Sequence, residues 1–129
     1  MDTDVWSEAL RKTTGPPSPE VLAFRELLLE GRVTVIGPIR QEVLSGLRDS
    51  KRFVQFREVL RDFLDAPLET ALYELAAEFV NSCRAKGIQG SHTDFLICAC
   101  SVVWQMPVLT KDQDYRNFLP LVPVRLLEV

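Results

Sequence analysis

Residues 91–115 read SHTDFLICACSVVWQMPVLTKDQDY, and the fold expected of the chain turns on them. One acid, Asp94, opens the stretch, and residues 95–104 then carry no charge. A helix that is apolar on every side has to be buried. This one is too short to cross a membrane, which takes about 20 apolar residues. Pro107 opens a second apolar run, 107–110, and Asp112 and Asp114 follow at once. The pattern predicts a central helix leading into an inner strand, with acids at the ends of buried elements. An α/β fold places its site at such ends.

Working outward, Leu72, Leu75, Ala76, Phe79, Val80 and Cys83 recur in helical phase. Arg84 and Lys86 put cations in the last turn, where the helix dipole favours them, and Gly87 closes it. Residues 49–66 predict a charged amphipathic helix striped by Phe53, Phe56, Val59, Leu60, Phe63 and Leu64, ended by Pro67. Before it, Pro38 opens a helix carrying Ile39, Val43, Leu44 and Leu47 inward. Residues 32–36, RVTVI, are β-branched and bounded by glycines, which predicts a strand. Pro19 starts an earlier helix that Gly31 stops, and residues 13–19 are a loop. The first residues predict a strand stub turning into a helix at about Asp4, unusually brief unless residues precede Met1. Residues 122–129 predict a final strand. Strands separated by helices argue a parallel sheet with helices on both faces. The expectation is a single α/β domain, 1–129, with three α/β/α layers and a small, mostly parallel central sheet.

Of the 129 residues, 47% are apolar and 26% charged, as in ordinary globular domains. Net charge is −3, so nucleic-acid binding would need a local basic patch. Arg11, Lys12, Arg84, Lys86, Lys111 and Arg116 flank the acids in sequence; solvated helix ends are the equal alternative. Cys83, Cys98 and Cys100 are odd in number and lack C-x-x-C spacing. That argues against a disulfide framework and a thiolate zinc site. A reducing cytoplasm is the expected setting. The N-terminus lacks the pattern of a signal peptide, and no apolar run predicts a membrane span.

The acids Asp2, Asp4, Glu42, Asp94, Asp112 and Asp114 stand near element ends. Singly, each has a plain structural reading. Asp94 fits the third helical position of a capping box, Asp4 and Asp112 fit caps, and Glu42 fits a solvated helix face. Gathered on one sheet edge, they would repel unless a cation sat between them. Oxygen ligands of this kind select Mg²⁺ or Mn²⁺, which can activate water against a phosphodiester. His92 reads as surface or cap. Trp6, Phe53, Phe56 and Phe63 read as core or partner interface rather than as platforms for bases.

Four stretches carry a resemblance: Met1-Asp2-Thr3-Asp4-Val5, Glu42-Val43-Leu44-Ser45-Gly46, Thr93-Asp94-Phe95-Leu96, and Val108-Leu109-Thr110-Lys111-Asp112-Gln113-Asp114-Tyr115. In this order they resemble the motifs of PIN-domain ribonucleases, the toxins of VapBC-type toxin–antitoxin pairs. The resemblance implies Asp2, Glu42, Asp94 and Asp112 as a catalytic, metal-binding quartet for Mg²⁺ or Mn²⁺, with Asp114 at the same site. It implies that Thr110 orients a carboxylate or the water. It also implies an RNA substrate, a homodimer and a cognate antitoxin protein. Asp4 stands where the family has Ser or Asn, as a further ligand or a cap. The rival readings are a catalytically inert RNA- or protein-binding module and a phosphoacceptor receiver domain.

Overall fold

A computed structural model describes residues 3–10 and 15–129, with the side chains of Thr3, Asp4, Ser7 and Leu10 left aside. Seven helices are described: α1 (Thr3–Leu10), α2 (Pro19–Leu29), α3 (Gly37–Ser45), α4 (Ser50–Leu60), α5 (Thr70–Arg84), α6 (His92–Trp104) and α7 (Asp114–Phe118). They fall into two compact units divided after Pro67.

In the first unit, α1 packs on α2 and α3, and α3 packs on α4. Ser18 caps α2, its hydroxyl accepting from Val21 N–H at 3.2 Å and donating to Glu8 Oε2 at 3.0 Å. The core is aromatic at its centre. Trp6 meets the rings of Phe24 and Phe63 edge-on, with centroids 4.6 and 5.5 Å away. Arg40 of α3 ties down the chain that leaves α4. Its Nε donates to Asp65 Oδ1 at 2.9 Å, Nη1 to Leu60 O at 2.8 Å, and Nη2 to Phe63 O. α4 ends at Leu60 rather than running on to Ala66 as its stripe predicts, and the guanidinium reaches both carbonyls there, that of Leu60 alongside Phe63 N–H at 3.0 Å.

In the second unit, α5 and α6 pack together. α6 is buried continuously from Phe95 to Ser101, as its lack of charge predicts. Beyond Ser101 the burial relaxes, and Val103 is 53% exposed. α6 ends at Gln105 with φ 54°, a left-handed conformation that glycine usually supplies.

The expected three-layer α/β/α architecture is overturned. Among the described residues there is no sheet, only two isolated parallel bridges, Val35 with Asp65 and Val108 with Leu126. The chain around each bridge explains why no ladder grows. Arg32 N–H is already spent on Leu27 O at the end of α2, at 2.9 Å. Gly37 already belongs to α3. Around Val108, the bonds Val108 N–H to Arg125 O and Leu127 N–H to Val108 O, both 2.8 Å, complete one parallel bridge. Pro107 and Pro123 flank that pairing and have no N–H to extend it. The strands predicted at 32–36, 107–110 and 122–129 are therefore extended chain. The stub expected before Asp4 is helix from Thr3 onward, and Asp2 lies outside the described residues.

Candidate functional site

The second unit holds the most organised set of acids. Ser91 and Asp94 form a reciprocal cap at the start of α6: Asp94 N–H donates to Ser91 Oγ at 3.0 Å, and Ser91 N–H donates to Asp94 Oδ2 at 3.1 Å. The other carboxylate oxygen, Oδ1, accepts from the Tyr115 hydroxyl at 3.2 Å. Tyr115 is fully buried and leans on Phe118, whose ring lies 4.7 Å from that of Phe95. One carboxylate thus closes a helix end and satisfies a buried phenol. Gly90 makes this approach possible. A Cβ there would lie 2.6 Å from Phe118 Cζ and 3.0 Å from Phe95 Cε2.

The next acids shape the turn into α7. Asp112 N–H donates to Thr110 Oγ1 at 3.0 Å, and Asp114 N–H donates to Asp112 Oδ1 at 2.9 Å. Short polar side chains that accept from the backbone two residues on form turns of this kind. Asp114 then sits in the first turn of α7, where a negative charge suits the helix dipole. Glu42 belongs to the first unit, is exposed on α3, and its carbonyl accepts from Ser45 Oγ at 3.1 Å. Asp2 and the side chain of Asp4 lie outside the described residues. His92 is exposed at the start of α6.

Among the described residues no three carboxylate, thiol or imidazole groups come together to hold an ion. Both oxygens of Asp94 and one of Asp112 accept hydrogen bonds from the chain itself. Burial raises the Cys100 thiol to about 11 and pushes Cys83 up as well, which keeps both thiols protonated and unreactive at neutral pH. The residues that sequence reasoning missed are Tyr115 and Gly90. The one available signal was the phase of Tyr115 with Phe118, which marks an inward face on α7.

No family model matches the chain, and no curated protein matches it. Among solved structures it is similar to the crystal structure of FitAcB from Neisseria gonorrhoeae. The TM-score is 0.76 at 21% identity, over 98% of this chain and 94% of that one. The two chains share a fold across nearly their whole lengths. The PIN-domain resemblance is corrected here: it called for a central sheet, and the described residues are helical with isolated bridges. The metal-dependent ribonuclease reading falls with it, and so does the inert PIN-like alternative. The nuclease argument needed a parallel-sheet edge to gather the carboxylates.

Proposed function

We propose that this chain is one component of a toxin–antitoxin pair and acts by associating with a partner protein. The observation that carries the proposal is the likeness in fold to the FitAcB structure over nearly the whole of both chains. Surface composition supports it. Leu29 and Leu64 are 90% and 91% exposed, apolar side chains that a partner could cover. Self-association through such residues belongs to the same proposal. So does a cytoplasmic setting, which suits three buried cysteines. None of the described helices is long and apolar enough to cross a membrane.

The test is expression of the chain alone and together with the product of the adjacent gene. The proposal expects one of the two proteins, expressed alone, to arrest growth, and their joint expression to relieve the arrest. Unaltered growth in every combination would remove it.

A further inference from the structure

α2 turns one face to the core of the first unit and leaves the other bare. Val21 and Phe24 are buried, and the Phe24 ring meets Trp6 of α1 edge-on. Leu22 is 49% exposed and Leu29 90%, and Arg25 and Glu26 between them are exposed as well. Spaced at i, i+3, i+4 and i+7 in a helix of 3.6 residues per turn, the four share one face about 100° wide. Neither charge is answered within α2. The residues three and four positions from Arg25 are Val21, Leu22, Leu28 and Leu29. Those from Glu26 are Leu22, Ala23, Leu29 and Glu30, the last a like charge. Among the described residues neither Arg25 nor Glu26 forms an ion pair.

We propose that this face is a self-association seam, in which α2 packs antiparallel on α2 of a second copy about a twofold axis. The order Leu-x-x-Arg-Glu-x-x-Leu decides the occupant. Reversed, it presents the same leucine spacing with the two charges exchanged. In the antiparallel pair Leu22 therefore meets Leu29 of the second copy, and Arg25 meets its Glu26. Twofold symmetry makes each contact occur twice. A parallel pair would instead set like charges side by side. A partner of another kind fits only if it carries the same inverted pattern, whereas a second copy carries it of necessity. A nucleic-acid backbone would meet Glu26 and Glu30 beside the single Arg25. A seam two turns long covers less than the about 1,200 Å² that stable interfaces bury, so the association is weak and concentration-dependent. The proposal gives a place to the self-association put forward above and rests on that part of the reading.

Sedimentation equilibrium of the full chain between about 10 μM and about 1 mM, the range of a weak interface, tests it. Wild type should dimerise within that range. Arg25→Glu alone, or Glu26→Arg alone, sets like charges against each other across the seam and should raise the dissociation constant at least about tenfold. Arg25→Glu/Glu26→Arg restores the complement with the signs exchanged and should return the constant to within about threefold of wild type. Damage to the fold by one substitution would not be undone by adding the other. The side chains face solvent, so circular dichroism should report unaltered folding in all three variants. A chain monomeric throughout the range, a dimer indifferent to the single variants, or one that the double variant does not recover would overturn the proposal. Co-expression with the adjacent gene's product separates the two readings. A monomeric wild type that still co-purifies with that product leaves the pair standing and removes the seam. Loss of the product from both single variants would assign α2 to the partner protein and exclude the second copy.

Discussion

The Tyr115 hydroxyl donates to Asp94 Oδ1 at 3.2 Å, although the two residues are 21 positions apart. The bond joins the start of α6 to α7. The other oxygen of the same carboxylate accepts from Ser91 N–H. Asp94→Asn keeps the shape but weakens both interactions. Loss of a helix cap costs about 0.5–2 kcal/mol, and a hydrogen bond to a charged acceptor is worth about 1.5–3 kcal/mol before solvent is considered. Asp94 is half-buried, so a total near ~2 kcal/mol is expected. A double-mutant cycle with Tyr115→Phe, read by chemical denaturation, should give a coupling of about 1 kcal/mol. Additive effects would show that the two side chains act separately.

Gly90 is expected to resist any substitution. An added methyl would meet the rings of Phe118 and Phe95, which are themselves packed together and cannot both retreat. Gly90→Ala should destabilise by about 1–3 kcal/mol, the range for overpacking a core. Gly15→Ala is the control, since nothing lies within 4 Å of a Cβ there. Thermal melts of the two variants should differ clearly, and equal melts would contradict the close approach.

Arg40 separates an ion pair from backbone capping. Its partner Asp65 is 44% exposed, so the pair itself contributes little. The bond to Phe63 O and a second bond to Leu60 O, which also accepts from Phe63 N–H at 3.0 Å, hold the backbone where α4 ends. Asp65→Asn should therefore cost under about 1 kcal/mol, and Arg40→Met about 2–3 kcal/mol. Equal losses in urea unfolding would mean that the ion pair dominates.

The cysteines give a pH prediction. The Cys100 thiol is raised from 9.0 to about 11 by burial. A raised folded-state value contributes stability that is fully present below the unfolded value and is lost as pH rises through the folded one. The melting temperature should fall between about pH 9 and pH 11, and Cys100→Ala should flatten that fall. Iodoacetamide at pH 8 should label Cys83 and Cys100 slowly until denaturant is added.

The helices were legible because apolar spacing and capping residues are local signals. Ser18, Pro38, Asp49 and Ser91 each stand where a helix begins. The sheet was misread for an equally physical reason. Val33, Val35 and Val108 look like strand residues, but a ladder needs partners with free N–H and C=O groups. Proline and neighbouring helices remove those partners here. The acids are hard to read from sequence because function and capping use the same residue types. Asp94 fitted both readings in sequence, and only the position of Tyr115 shows how both of its oxygens are occupied.

The central claim is association with a partner protein, and its most direct measurement is the mass of the chain after co-expression with the adjacent gene's product. Size-exclusion chromatography with light scattering should show one species, heavier than the 14.6 kDa chain and containing both polypeptides. Two separate peaks, each holding one polypeptide, would contradict the account.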